Sequence, residues 1–228
     1  MRTAKDPRAE NGIDSPNLIR LDPSDADLVK GVADLHSLLL PESALSKWGY
    51  LFLTKFYYRS LVKDGLIDVY VYRVHDRCVG FTACTDFPFS LLKRATHKHW
   101  LRLALVMAAS LVQRPSRVKL LLRPEESAYP GDFGSVSEQD PGQFMSFGVL
   151  EEYRRHVDEP TGLTVPNVLM QGVFKHFSAR QKERFFLLVL RGNTRAGSFY
   201  RKYHGEFIAE RGFSHVVSFS LPRTEAQG

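Results

Sequence analysis

Length, composition and charge describe an ordinary globular chain. The sequence has 228 residues, of which 43% are hydrophobic and 25% are charged, and this suits one large domain with a buried core. The net charge of +6 and the pI near 9.3 favour anionic partners without specifying one. Cys78 and Cys84 fall on one predicted strand, too far apart along it for a disulfide. They indicate a reducing compartment, and we therefore expect a cytoplasmic location.

Several classes of function find no support in these residues. No Cys/His set has the spacing of zinc ligands, so we expect no metal. The longest apolar-rich segment, 100–112, is too short to span a bilayer and contains Arg102, so we expect no membrane partner. Basic residues are spread along the chain and their single cluster, 93–99, is brief. No nucleic-acid-binding motif accompanies them, so nucleic acid is not the expected partner.

Hydrophobic periodicity and turn-forming residues predict alternating strands and helices. Polar residues 1–16 predict a disordered leader without a signal peptide, and residues 223–228 predict a flexible tail. In chain order the elements between them are strand Leu18–Leu21, a helix capped by Ser24 or Asp25, helix Ser43–Lys63, a hairpin of Ile67–Val74 and Cys78–Cys84, one or two helices in Phe89–Gln113, strand Gln143–Leu150, helix Pro166–Ser178, strand Phe185–Leu190, a helix capped by Asn193 or Thr194, and the extended pair Glu206–Phe213 and Ser214–Leu221.

This order predicts a single α/β domain over residues 17–222. Its mixed central sheet should have about seven strands flanked by helices, because strands and helices alternate and hairpins interrupt that alternation. A helical segment at about 88–122 is inserted between the third and fourth strands. A loop rich in Pro and Gly follows it at about 123–142.

The segment after the strand Phe185–Leu190 carries the most information. It reads Arg-Gly-Asn-Thr-Arg-Ala-Gly-Ser-Phe-Tyr from Arg191 to Tyr200 and ends at Gly205, which can stop the helix. A strand, then an Asn-capped helix with the pattern N-x-x-A-x-x-F-Y, resembles the last conserved segment of the GNAT superfamily of acyl-CoA-dependent N-acyltransferases. The element order from Leu18 to Leu221 is also similar to the GNAT order. The inserted helical segment resembles a subgroup associated with bacterial polysaccharide loci.

The resemblance implies a pyrophosphate site for acetyl-CoA at the helix N-terminus that follows the fourth strand. The stretch Phe147–Arg155 matches the GNAT pattern V-x-P-E-Y-R through Arg154. About six extra residues, 156–161, then precede the helix, and Pro166 removes one N–H donor. The residues expected to contact the cofactor are Phe147, Val149, Arg154, Arg155, Gly162, Thr164, Val165, Asn167, Asn193, Ala196 and Phe199, with the Val168 N–H as a further phosphate donor.

The resemblance also implies catalytic roles. Tyr200, in the first turns of its helix, would be the general acid that protonates the departing CoA thiolate. The alternative is a half-buried packing aromatic, and a helix cap alone suffices to explain Asn193. Glu151, at the end of the fourth strand, is the first candidate for the general base. The other candidates for the base are Glu152, Asp86 and His36.

The leading hypothesis is therefore an acetyltransferase that moves an acetyl group from acetyl-CoA to a primary amine. The amine would belong to a small acceptor, of which an amino-sugar is one option, and it would attack the thioester directly. The alternative is a catalytically weak module of the same fold that binds CoA or a protein partner. A homodimer is left open. Nothing in the sequence identifies the acceptor or the length of the acyl chain.

Overall fold

The computed structural model describes residues 15–117 and 141–222. Most of the predicted leader, almost all of the predicted loop at 123–142, and the predicted tail lie outside these residues. The helices are α1 (Ala26–Leu39), α2 (Ala44–Trp48), α3 (Tyr50–Phe52, continuing as a π-helical stretch Leu53–Leu61), α4 (Leu91–Gln113), α5 (Val165–Ala179) and α6 (Thr194–Lys202). The strands are β1 (Leu18–Arg20), β2 (Asp68–Val74), β3 (Arg77–Thr85), β4 (Gly142–Val149), β5 (Val157–Asp158), β6 (Leu163–Thr164), β7 (Arg184–Leu190), β8 (Glu206–Arg211) and β9 (Ser214–Ser220).

A mixed seven-stranded sheet forms the centre of the molecule, as predicted. Its strand order is β1-β2-β3-β4-β7-β9-β8, and every neighbouring pair is antiparallel except β4 and β7. The hairpin β2–β3 turns at His75 and Asp76, whose φ angles of 45° and 63° are those of a tight two-residue turn. A separate two-stranded hairpin, β5–β6, precedes α5.

Two hydrophobic clusters fill the space between sheet and helices. The first lies under α1, α3 and the strands β2 and β3, and Val32, Leu53 and Val71 are fully buried within it. The second lies between α5, α6 and the strands β7 and β9, with Phe177, Phe185 and Val217 at its centre. The second cluster also takes in Cys84 of β3 and Phe144 of β4, and α5 contributes side chains to both clusters.

One predicted helix differs from the structure, and the open choice between one and two helices after Phe89 is settled. The continuous helix Ser43–Lys63 is wrong, because Gly49 with φ at +98° separates α2 from α3. Ser43 caps α2 by accepting the Ser46 N–H at 3.1 Å. The helical segment after Phe89 is the single helix α4, kinked at His99, whose φ of −130° is not helical. No helix in the described ranges is long and apolar enough to cross a membrane.

Candidate active site

The parallel strands β4 and β7 pair only at their starts. Gly142 lies opposite Phe185 and Gln143 opposite Phe186, and the described residues form no further pairs between these strands. Both strands continue beyond that point, β4 to Val149 and β7 to Leu190. Their carboxyl-terminal halves therefore part, and the sheet has an opening there. We call this region the open end, and the paired region at Gly142 and Gln143 the closed end.

β4 carries an extra residue beside this opening. Ala83 of β3 pairs with Ser146 and Cys84 pairs with Phe144, so Met145 is the bulged residue between them. The Tyr57 hydroxyl donates to the Met145 sulfur at 3.8 Å. A bulge bends its strand and redirects the side chains next to it, and bulges are common near active sites. Here the bulge sits where β4 leaves β7.

Helix α6 covers the opening with aromatic side chains. Asn193 caps it, and its side-chain oxygen accepts the Ala196 N–H at 3.0 Å, as predicted. Phe199 stacks on Phe147 of β4 with ring centres 5.7 Å apart. Tyr200 meets Phe144 edge-on at 6.2 Å. Phe147 and Phe199, two predicted cofactor contacts from distant parts of the chain, are thus brought together.

Tyr200 lies deep in this aromatic layer, and only 6% of its surface is exposed. Its ring also packs edge-on against Phe219 of β9, at 6.1 Å between ring centres. Burial raises the pKa of Tyr200 well above its usual value. The hydroxyl therefore keeps its proton at neutral pH, as a proton donor must.

Tyr203 and Asn167 join α6 to the beginning of α5. The Tyr203 hydroxyl donates to the Asn167 side-chain oxygen at 2.9 Å. The Asn167 side chain is thus used within the protein, which leaves its backbone N–H for the predicted phosphate contact. Tyr203 had no predicted role beyond packing. Its partner lies 36 residues away in the sequence, so no local pattern could have indicated the contact.

The first turn of α5 offers fewer donors than the sequence predicted. Thr164 precedes the helix without a side-chain cap, and Val165 is buried with its N–H bonded to the His156 carbonyl at 3.0 Å. Pro166 has no N–H. Val168 has the Thr164 carbonyl four residues back, within reach of an ordinary helical bond. Asn167 is therefore the best placed of the predicted amide donors.

The extra residues before α5 form the hairpin β5–β6 rather than an open turn. Gly162, with φ at +68°, makes its turn and is exposed. Asp158 is buried and holds the hairpin to the rest of the domain. Burial acts to raise the pKa of Asp158, but its hydrogen bonds outweigh that effect and hold the pKa below its usual value. The donors to this carboxylate are Tyr72 at 2.5 Å, Thr161 at 2.7 Å, Ser15 at 2.8 Å and Asn17 at 2.9 Å.

Charged side chains lie at the rim of the open end. Glu151, with 83% of its side chain exposed, pairs with Arg154 at 3.5 Å and with Arg195 at 3.9 Å. Arg154 also donates from Nε to the Val149 carbonyl at 3.3 Å. Arg154 follows β4 and Arg195 begins α6, so the two cations belong to opposite sides of the opening. Sequence reasoning did not single out Arg195, although it lies inside the motif. Arg155 is exposed near them.

The other candidates for a general base lie elsewhere. Glu152 is exposed and pairs with Arg77 at 3.6 Å. His36 is fully buried, with Nδ1 2.5 Å from the Tyr58 hydroxyl and Nε2 3.1 Å from the Ser43 hydroxyl. Burial lowers the pKa of His36 to about 4. The imidazole is therefore neutral at pH 7 and serves as a packing group with both nitrogens in use.

Asp86, the last candidate for a base, belongs to an ion-paired cluster at the closed end. Arg180 bridges the two carboxylates, with Nη2 2.6 Å from Asp68 and Nε 2.5 Å from Asp86. His176 lies 3.5 Å from Asp86 through Nε2 and 3.0 Å from the Tyr70 hydroxyl through Nδ1. Asp68, Asp86 and His176 could together hold a metal ion. Arg180 and Arg20, which also pairs with Asp68, together balance the two carboxylates, so a cation has no unbalanced charge to bind.

The fold of this chain, which carries the opening and the capped helix, is shared with solved acetyltransferases. The fold is that of the GNAT enzymes. An acetyltransferase from Thermus thermophilus superposes with a TM-score of 0.50 and 11% identity, over 92% of this chain and 99% of that one. The PaiA N-acetyltransferase of Thermoplasma acidophilum, solved with coenzyme A, gives 0.50 and 9%, over 90% and 99%. Arabidopsis thaliana NAA60, solved with a bisubstrate analogue, gives 0.51 and 14%, over 90% and 98%.

At these identities the likeness establishes the fold alone. No protein-family model matches the sequence, and no curated protein matches it.

Proposed function

We propose that this protein is an acyl-CoA-dependent N-acetyltransferase that uses acetyl-CoA as its donor. The opening between β4 and β7, covered by a helix that buries Tyr200, is the observation that carries the proposal. An opening between two strands, with Phe147 and Phe199 beside it, suits a thin and largely apolar pantetheine arm. The rim residues Arg154, Arg155 and Arg195 supply positive charge for the phosphates.

The structural neighbours support the same donor. PaiA was solved with coenzyme A and NAA60 with a bisubstrate analogue. Both structures superpose on about nine tenths of this chain. Fold alone does not imply an activity, so the proposal rests on the side chains at the open end together with the fold.

The proposed reaction is a direct transfer. The amine nitrogen attacks the thioester carbonyl carbon, so a C–N bond forms and the C–S bond breaks. Tyr200 donates its proton to the departing sulfur, and its burial keeps that proton in place until then. Glu151, at the rim, is proposed to take the proton released by the amine, directly or through water. No covalent enzyme intermediate is required.

A second candidate is a module of this fold that binds CoA or a partner with little catalysis. The hairpin β5–β6 favours this second candidate. The His156 carbonyl, just before the hairpin, accepts the Val165 N–H, and the hairpin lies where the resemblance implies an open glycine-rich turn. The features against it are Tyr200, Asn193 and the opening itself. The two candidates differ in whether CoA binding is accompanied by turnover.

The acceptor is proposed to be a small primary amine, with an amino-sugar as one option. Exposed Glu151 can attract a protonated amine to the rim. A cytoplasmic location, in which acetyl-CoA is at hand, and a homodimer remain expectations from the sequence. The subgroup with an inserted helical segment is also an expectation.

The first experiment is a calorimetric titration of the purified chain with acetyl-CoA and, separately, with free CoA. Micromolar binding of acetyl-CoA is expected, followed by release of free thiol when a suitable amine is added. Failure to bind either molecule would exclude both the transferase and the CoA-binding module. Binding without thiol release across a broad screen of amines would favour the second candidate.

A paired variant locates the phosphates. Replacing Arg154 and Arg155 together by Ala should weaken binding of CoA by about tenfold or more, because two cations leave the rim. The matched control replaces Lys30 and Lys55, two exposed cations on α1 and α3, by Ala. Equal affinities in the two double variants would place the pyrophosphate elsewhere.

A further inference from the structure

The outer face of helix α4 is apolar and uncovered within the part of the chain that the structure describes. Its second half packs inward through Val106 and Ser110, which are buried. Large apolar side chains, each more than half exposed, lie on the rest of its surface. They are Trp100 at 67%, Leu101 at 56%, Leu105 at 63% and Val112 at 83%. Their spacing places Leu101, Leu105 and Val112 on one stripe of the helix.

The first half of the same helix is basic. Lys93, Arg94, His97 and Lys98 are exposed there and line a groove with Ser90, Leu66 and Asp64. The kink at His99 separates this half from the apolar half, and Asp64 fixes the kink by pairing with His99 and with Lys98, the latter at 2.8 Å. Between residues 87 and 117 the chain contains no Asp or Glu. The helix thus presents a basic surface and an apolar surface end to end.

We propose that α4 is a docking surface for an anionic phospholipid bilayer. The helix would lie in the plane of the interface, with Leu101 and Leu105 in the acyl boundary, Trp100 at the headgroup level beside them, and Lys93 and Arg102 at the phosphate level. Basic residues beside exposed Trp and Leu are the pattern of helices that lie on membranes rather than cross them. Anionic headgroups complement a helix that has no carboxylate of its own.

A second copy of the chain fits this surface less well. Two α4 helices facing each other would bring Lys93, Arg94 and Arg102 of one copy close to the same cations, or to Arg114, of the other. No carboxylate on the helix would neutralise them. The charge of the helix therefore favours an anionic partner over self-association. This proposal is independent of the acetyl-transfer chemistry.

The test is sedimentation of the full chain with vesicles. Vesicles of equal parts phosphatidylglycerol and phosphatidylcholine should bind the protein at least about tenfold more tightly than vesicles of phosphatidylcholine alone. A variant with Trp100→Ser and Leu105→Ser should lose most of this binding, and a variant with Lys93→Gln and Arg102→Gln should lose the preference for the anionic lipid. Because all four side chains are exposed, the variants should keep the circular dichroism spectrum of the parent.

The matched control is Phe213→Ser, which removes an apolar side chain that is 88% exposed in the β8–β9 turn and should leave vesicle binding unchanged. If the variant that lacks Trp100 and Leu105 still binds vesicles, charge alone explains the binding, and the proposal is overturned. A different result would also overturn it: the parent protein is a dimer by light scattering, the Trp100/Leu105 variant is a monomer, and the parent does not bind vesicles. The variant Trp48→Phe leaves Trp100 as the remaining tryptophan. If a soluble quencher does not reduce the fluorescence of Trp100 before any vesicle is added, the protein itself covers the face.

Discussion

The two ends of the β4–β7 pair differ in the contacts around them. At the closed end the strands hydrogen-bond, and Arg180 joins buried Asp68 to half-buried Asp86 beside them. At the open end the strands part, and the helix α6 covers the gap through Phe147, Phe199 and Tyr200. Among the described residues, this parallel pair is thus held by backbone hydrogen bonds at one end, and at the other it is covered by aromatic side chains.

The closed end should show the largest effect on stability. Arg180→Ala would remove the cation that Asp68 and Asp86 share, although Arg20 would remain beside Asp68; the two acidic side chains are only 4% and 16% exposed. The expected loss is about 3 kcal/mol in the free energy of unfolding, measured by urea denaturation. Arg191→Ala breaks an exposed pair with Glu210 and should cost about 0.5 kcal/mol or less. Similar losses in both variants would remove the distinction between the closed end and the surface.

The open end should show its largest effect on turnover. Tyr200→Phe removes the proposed proton donor while keeping the ring in its aromatic layer. We expect kcat to fall by about a hundredfold with little change in CoA affinity, measured by thiol release and by calorimetry. Tyr203→Phe is the matched control on the same helix, because its hydroxyl binds Asn167 instead. Full activity in the Tyr200 variant would dismiss Tyr200 as the acid.

His36 contrasts with His176 of the closed end, because His36 is buried without the carboxylates that surround His176. Burial lowers the pKa of His36 from 6.5 to about 4, so below about pH 6.5 the unfolded chain binds a proton that the folded chain refuses. Its contribution to stability is complete above that pH and falls as the pH drops towards 4. Between neutral pH and about pH 5 the expected loss is about 2 kcal/mol. Unfolding curves of His36→Gln should lack this part of the pH dependence, and an unchanged profile would contradict the assignment.

The smallest predicted effect separates capping from catalysis. Asn193→Ala removes the cap of α6, and Asp25→Ala removes the cap of α1, where Asp25 accepts the N–H groups of Asp27 and Leu28. Each should cost about 1 kcal/mol of stability. Only the Asn193 variant should also lower turnover, because only α6 carries Tyr200. Equal turnover in both variants would mean that the cap does not position the helix for catalysis.

The sequence predicted the sheet, the hairpin β2–β3 and the Asn193 cap, because these depend on local periodicity and turn chemistry. The break at Gly49 was missed because the aromatic residues on either side continue the helical pattern. The strands β5 and β6 were missed because two residues each are too few for any period. These features depend on packing that a local pattern does not contain.

The candidate site divides in the same way. The motif identified Tyr200 and Asn193, since both lie in one short segment. The ring of Phe144 against Tyr200 and the bond from Tyr203 to Asn167 join segments far apart in the chain. The Arg180–Asp68 pair spans 112 residues. The sequence could therefore indicate which helix carries the proposed general acid, but not what holds that helix in place.

The anchoring of the β5–β6 hairpin has a practical consequence for anyone shortening this chain. Ser15 is buried, and it and Asn17 donate to Asp158, so the first described residues hold the segment that leads into α5. A truncation at residue 17, where the composition alone would place the domain boundary, removes one of these donors. Expression clones should therefore begin before Ser15, and loss of coenzyme affinity in a shorter clone would report on this anchor rather than on the catalytic residues.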